Sequence, residues 1–263
     1  MSDNYASDIK SAIAVNPTFK AICEFNIKHF PADGYLKYHK QLANGTAILK
    51  TPEQLNTYLA SYSDMHLHKL NLAFKSLFTK EDFNNKSAEI IDWGCGQAFA
   101  SCVLIDFVKA NKINLDISKF TLIEPSSAAL QRGVEHIDAI YQREPKPEIL
   151  TINECADSNL LLRNTQNSTK IKIHLFSNLL DISSLNLNSV FQNVSRNFEG
   201  VNYFVCVSPL NPARLFSFYK VFTGTTLLSS NGSQIITEVF RPSEMKKVTR
   251  PISRIEYIFK TNL

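Results

Sequence analysis

The chain lacks the marks of several functional classes. No CxxC pair occurs, so nothing suggests a zinc site. The five cysteines, Cys23, Cys95, Cys102, Cys155 and Cys206, are odd in number and scattered mostly through apolar runs. That pattern fits reduced thiols in a cytosol better than a disulfide framework. Charge of one sign is also scarce: 28 basic against 24 acidic residues leave +4, too little and too dispersed to mark a nucleic-acid surface, though not enough to exclude an RNA partner. No apolar run is long enough to span a bilayer, and the start Met1-Ser2-Asp3-Asn4-Tyr5 has no basic stretch leading into an apolar one. A soluble cytoplasmic protein without membrane association is expected. Sequons such as Asn167-Ser168-Thr169 and Asn231-Gly232-Ser233 then carry no glycosylation meaning. No internal repeat is visible.

What is present is enough for one substantial core: 263 residues, 44% apolar and 11% aromatic. Residues 1–80 hold no convincing strand and several helical patterns, and are expected to form a helical lobe or lid. Thr51-Pro52-Glu53-Gln54 is a helix start, with Thr51 as cap, Pro52 in the first turn and Gln54 closing a capping box. Leu55, Tyr58, Leu59 and Tyr62 follow on one face, then Leu67, Leu70, Phe74, Leu77 and Phe78. Phe30-Pro31-Ala32-Asp33-Gly34 and Asn44-Gly45-Thr46 read as turns.

Residues 81–263 change character. Short β-branched runs at 89–93, 120–124, 148–152, 171–177, 202–208, 234–240 and 254–261 predict seven strands. Helical patterns lie between the first five, such as Leu130, Val134, Ile137 and Tyr141, or Leu187, Val190, Phe191, Val194 and Phe198. The alternation predicts an α/β fold: a three-layer, Rossmann-like, mostly parallel seven-stranded sheet ending in an antiparallel hairpin, with the helical lobe covering its carboxyl edge. Residues 159–170 are polar and read as a surface loop.

The strongest local signal is Ile90-Ile91-Asp92-Trp93-Gly94-Cys95-Gly96-Gln97-Ala98, an apolar strand ending in an acid and two glycines before a helix carrying Phe99, Val103 and Phe107. Small residues there let a ligand approach the backbone. A tight turn without a ligand is the plain alternative. The next strand ends in Ile123-Glu124-Pro125-Ser126, placing a carboxylate where its oxygens can hold the two hydroxyls of a ribose. The spacing from Asp92 to Glu124 exceeds the ~20 residues of dinucleotide folds, and residues 111–119 read as a polar insert that accounts for the excess.

On these residues, together with Phe176-Ser177-Asn178 and the seven-strand order, the chain from about residue 65 onward resembles the class I, Rossmann-like, S-adenosylmethionine-dependent methyltransferases. The resemblance implies S-adenosylmethionine as cofactor, with Asp92, Gly94, Cys95 and Gly96 at its methionine part and Glu124 at its ribose. It also implies a polar residue at the adenine amino group; Asn153-Glu154-Cys155-Ala156-Asp157 offers two acids, Asp157 ahead of Glu154. Ala98 stands where the family often has a third glycine. The Asn/Asp-Pro-Pro-Tyr motif of amino-methylating nucleic-acid enzymes is absent, since the chain reads Ser177-Asn178-Leu179-Leu180-Asp181.

Asn178 and Asp181 are the candidates for contact with the methyl acceptor, Asn178 doubling as an ordinary turn former. His174 reads as core. His66 and His68 read as a helix face rather than metal ligands, and Tyr62 and His66 as helix packing rather than a lid. Cys95 is expected near a helix N-terminus, where the dipole lowers a thiol pKa. Arg241, Lys246, Lys247 and Arg250 lie in an expected exposed loop, solvated rather than phosphate-binding. The acceptor is not identified; the N-terminal helices and loops such as Ser208-Pro209-Leu210-Asn211 favour a small molecule or protein side chain over a long polyanion. Two competitors remain: a non-catalytic cofactor-binding or scaffold module, and a nicotinamide-dependent oxidoreductase.

Overall fold

The computed structural model describes residues 4–29, 35–162 and 170–263. The turn expected at 30–34, the sequon at 167–169 and residues 163–169 of the expected polar loop lie outside them. Three helices, α1 (Tyr5–Ile13), α2 (Phe19–Lys28) and α3 (Tyr35–Gln41), precede the 29-residue α4 (Pro52–Lys80). The capping box forms at the start of α4, where Gln54 N donates to Thr51 Oγ1 at 3.3 Å and Thr51 N to Gln54 Oε1 at 3.2 Å. Then come β1 (Lys86–Trp93), α5 (Phe99–Ala110), β2 (Leu115–Ile123), α6 (Ser127–Ile140), β3 (Glu148–Ile152) and β4 (Ile171–Ser177). The chain ends with α7 (Leu187–Asn197), β5 (Val201–Ser208), α8 (Pro212–Lys220), β6 (Thr226–Arg241) and β7 (Lys246–Asn262).

The sheet order is β3-β2-β1-β4-β5-β7-β6. The first five strands are parallel, and β7 pairs antiparallel with both β5 and β6. This is the expected Rossmann-like, mostly parallel seven-stranded sheet with its terminal hairpin. Strand alternation sends Ile90, Leu122 and Leu175 to one face, under α4, α5 and α6, and Ile91, Trp93, Phe176 and Phe204 to the other, under α7 and α8. The N-terminal helices share the first of these cores: Ile9, Ile22, Leu59 and Phe74 are fully buried in one cluster with Phe99 and Val103. Burying each such side chain stabilises the fold by roughly 1.5–3 kcal/mol.

Three expectations need correction. Residues 111–119 are not mainly an insert, because β2 already begins at Leu115; the long spacing between the two acids comes from a 12-residue α5 and a nine-residue β2. The hairpin strands run to 16 and 17 residues, since polar residues such as Ser229, Asn231 and Ser233 hide the alternation in β6. The basic segment is not a free loop: a short turn at Pro242–Glu244 joins the strands, and Glu244 pairs with both Arg241 and Lys246. The distal hairpin rests on α4, where Phe240 N donates to Asp64 Oδ2 at 2.7 Å and Thr237 Oγ1 meets His68 Nε2 at 2.9 Å. Among the described residues no helix is long and apolar enough to cross a membrane.

Candidate active site

Strand order reverses between β1 and β4, and in open α/β sheets the crevice outside the carboxyl ends at such a point is where ligands bind. Here it is a cavity of about 260 Å³. Its walls come from the segments following four neighbouring strands: Gly94, Gly96 and Gln97 after β1, Glu124 and Pro125 after β2, Cys155 to Asp157 after β3, and Asn178 and Leu179 after β4. The opposite wall is Gly45 to Leu49 and Tyr58. That wall is fastened to the sheet by Gln97 Nε2 donating to the Leu55 carbonyl at 3.0 Å, by Ser126 Oγ donating to the Leu49 carbonyl, and by Arg132 donating to Asn56 Oδ1 at 2.7 Å.

The glycines of the turn both have left-handed backbones, φ +61° at Gly94 and +53° at Gly96. A Cβ on Gly94 would meet Leu179 Cδ1 at 2.8 Å, whereas a Cβ on Gly96 would meet nothing within 4 Å. Gly96 therefore leaves open room beside its backbone. Its amide donates to Glu124 Oε2 at 3.0 Å, and Ser126 N donates to Oε1 at 2.9 Å. Burial pushes the Glu124 pKa up, while those two amides pull it back down.

Asp92 and Cys95 sit beside the turn without bordering the cavity. The Asp92 carboxylate faces α5, accepting from Ser101 Oγ at 2.7 Å and Ser101 N at 3.1 Å, and burial pushes its pKa up to about 7. Cys95 directs its thiol to the Gly96 carbonyl at 3.6 Å. Burial, with the nearby Asp92 and Glu124 carboxylates, raises the thiol pKa well above its ordinary value, the opposite of the expected lowering. The backbone amides of Ala98, the cap of α5, and of Cys95 itself pull the other way, but burial and the two carboxylates outweigh them. Ala98, in place of a third glycine, packs against Gly133 of α6, where an added Cβ would come 3.0 Å from the Ala98 Cβ. The absent side chain at Gly133 supplies that close approach.

Of the two acids left open after β3, Asp157 borders the cavity and Glu154 does not. Asp157 Oδ2 accepts from Asn186 N at 2.9 Å; Glu154 meets Ser158 Oγ. Asn178 borders the cavity in a left-handed conformation, φ +55°, pinned by its amide donating to the Val207 carbonyl at 2.7 Å. Asp181 lies behind, partly buried, its pKa raised by burial and opposed by Lys69. Residues 208–211 do not border the cavity; Asn211 caps α8.

Four features were not read from the sequence. Tyr58, taken as a helix-face residue, forms part of the cavity wall, and Thr46 to Leu49 form a strap over it. His66 packs edge-on against Phe99, as expected of a packing residue, but it also meets Asn178 Nδ2 at 2.7 Å through Nε2 and Ser177 Oγ at 3.3 Å through Nδ1. Lys69, 4% exposed, donates to Asn178 Oδ1 at 2.8 Å. Tyr62 stays outside the cavity wall, against Tyr58. His174 is core: Trp93 Nε1 donates to its Nδ1 at 3.1 Å, and its Nε2 meets Asn202 Oδ1 at 2.9 Å. Among the described residues no cluster of His, Cys, Asp or Glu is arranged to hold a metal.

No protein-family model matches the chain, and no curated protein matches it. Many of the solved structures it resembles are described as methyltransferases. One is an S-adenosylmethionine-dependent methyltransferase from Leishmania major, 12% identical over 84% of this chain and 82% of that one, with a TM-score of 0.47. Another is precorrin-6y C5,15-methyltransferase from Geobacter metallireducens, 12% identical over 83% and 91%, TM-score 0.44. A third is an rRNA methylase from Streptococcus thermophilus, 10% identical over 73% and 97%, TM-score 0.39.

Proposed function

We propose that this cavity binds S-adenosylmethionine and that the protein transfers its methyl group to an acceptor, a small molecule or protein side chain ahead of RNA. The observation that carries the reading is the junction of Gly96 and Glu124 at the strand-order reversal, where a turn open to a ligand and a buried carboxylate meet in one cavity. The donor set fits the cofactor. A carboxylate offers about four lone-pair sites; the Gly96 and Ser126 amides use two, leaving acceptor capacity for two ribose hydroxyls. Asp157 presents a second acceptor suited to an adenine amino group. The open space beside Gly96 suits the methionine part lying against the backbone. At about 260 Å³ the cavity is just under the ~300–1,000 Å³ of typical ligand sites.

When bound, the sulfonium supplies an electrophilic methyl group. The chain's own contribution is alignment of the acceptor and exclusion of water. Tyr58, Leu49 and Leu179 give the cavity its apolar walls, and Asp92 and Cys95 support the turn from behind. A nicotinamide dinucleotide fits less well, because its fold continues beyond β5 with a parallel strand, whereas β7 is antiparallel.

Isothermal titration with S-adenosylmethionine and S-adenosylhomocysteine tests the proposal. Micromolar binding that weakens at least tenfold in Glu124→Ala is expected. Absence of binding of both ligands to the unsubstituted protein overturns it. Detection of a methylated product separates an enzyme from a cofactor-binding scaffold.

A further inference from the structure

Asn178 is held at both ends of its side-chain amide by residues of α4, more than 100 positions away in sequence: Lys69 at 2.8 Å and His66 at 2.7 Å. The partners dictate which end is which. An ammonium has only donors, so the atom facing Lys69 is Oδ1 and the atom facing His66 is Nδ2. Burial, with the Lys69 charge beside it, drives the His66 pKa well below its ordinary value, so the ring is neutral. Its Nε2 then accepts from Asn178, and its remaining N–H, on Nδ1, faces Ser177 Oγ. A flipped amide would set N–H against the ammonium. The second N–H on Asn178 Nδ2 makes no hydrogen bond among the described residues, and Asn178 borders the β4 end of the cavity.

We infer that this relay makes the β4 end of the cavity a site for an oxygen lone pair, a carboxylate above all, with Asn178 as its donor and Lys69 and His66 as positioning residues. Four observations meet here. Asn178 borders the cavity, its backbone is pinned to β5, its amide orientation is fixed, and a cation 4% exposed lies directly behind it. Inside a protein such a charge is felt far more strongly than in water. The charged and titratable groups facing Lys69 are His66 on its own helix and Asp181 on the loop after β4; burial brings the Lys69 pKa down to about 8, with Asp181 opposing. The carboxylate belongs either to the amino-acid part of the methyl donor or to the acceptor. The inference rests on the cavity being the ligand site proposed above, but not on which cofactor fills it.

The test uses nuclear magnetic resonance of the full chain carrying 15N-asparagine, with acetate as probe. The Asn178 side-chain amide is expected to exchange slowly with solvent at pH 6.5. Exchange should speed beyond the normal base-catalysed rise as the pH passes from 7 to 9.5, and at pH 6.5 in Lys69→Met, with partial recovery in Lys69→Arg. Acetate should shift one Asn178 N–H saturably, whereas ethylammonium should not. Loss of the acetate response on saturation with S-adenosylhomocysteine assigns the carboxylate to the methyl donor, and its persistence assigns it to the acceptor. If S-adenosylhomocysteine does not bind at all, the methyltransferase reading fails while the acetate response still reports on this site. An Asn178 amide whose exchange from pH 7 to 9.5 follows only the normal base-catalysed rise, and which is unresponsive to acetate, overturns the inference, even if Lys69→Met does not fold.

Discussion

Gly96 donates its backbone amide to the Glu124 carboxylate across 3.0 Å, so the turn after β1 and the acid after β2 are one assembled unit. The neighbouring glycine plays a different part, and alanine substitution separates the two. Gly96→Ala adds a methyl with nothing within 4 Å and incurs mainly the left-handed backbone cost of about 1–2 kcal/mol. Gly94→Ala adds to a similar cost a 2.8 Å contact with Leu179 Cδ1. Chemical denaturation should show Gly94→Ala the more destabilised, while titration with S-adenosylhomocysteine should show Gly96→Ala losing affinity out of proportion to its stability. Equal losses in both assays would refute this division.

Asp92 gives a prediction with a definite sign. Its pKa is about 7 in the folded chain, against ~3.9 in an unfolded one. Between those values the native state keeps a proton that the unfolded chain has released. Stability from this group is therefore fully present below pH ~4, declines up to pH ~7 and is flat above. Asp92→Asn leaves a neutral acceptor for Ser101 and removes the decline. Its melting temperature relative to the unsubstituted protein should be higher at pH 8 than at pH 5, the effect being a few kcal/mol at most. A difference independent of pH would show that Asp92 is ionised in the fold throughout.

Ser126 serves two elements at once. Its hydroxyl accepts from Ala129 N at 3.0 Å as the cap of α6, and donates to the Leu49 carbonyl of the strap. Ser126→Ala loses a cap worth about 1 kcal/mol, which lowers the melting temperature by roughly 2–4 °C. Hydrogen exchange should also accelerate in residues 45–49, beyond anything seen in α5. If exchange there is unchanged, the strap is held by the packing of Leu49 with the flanking Leu42 and Leu55 alone.

The sheet was legible because its buried strands are β-branched or aromatic runs, and the α4 start because Thr51, Pro52 and Gln54 each carry a local capping role. Gly94, Gly96 and Glu124 were legible as a motif, and the fold brings all three to one cavity. Asp92 shows the limit of such reading. A strand-end acid in sequence carries no information on whether it turns to the crevice or, as here, to Ser101 nine residues on. Lys69 was invisible for the opposite reason: a lysine on a long helix reads as solvated face, and only the packing of α4 across the ends of β4 and β5 buries it beside Asn178. The strap escaped because Thr46, Ala47 and Ile48 have no periodicity. Only the docking of Leu42, Leu49 and Leu55 on Ala129 places them.

The single tryptophan gives the core its own reporter. Trp93 stacks on Phe176 with ring centres 5.6 Å apart and donates to His174, whose other nitrogen faces Asn202. Burial holds the His174 pKa down at about 3, with the Asn202 bond opposing, against ~6.5 in an unfolded chain. This group's stabilisation is present above pH ~6.5 and is lost as the pH falls toward 3, where the unfolded chain takes up the proton first. His174→Phe keeps an aromatic ring but strands the Trp93 N–H and the Asn202 carbonyl in the core. Each orphaned group costs about 1–3 kcal/mol. Denaturant unfolding followed by Trp93 fluorescence should therefore show the variant roughly 2–5 kcal/mol less stable at pH 7, with a smaller gap at pH 5 because only the unsubstituted protein weakens through this histidine. A gap that widens on acidification would mean that His174 is protonated in the native state.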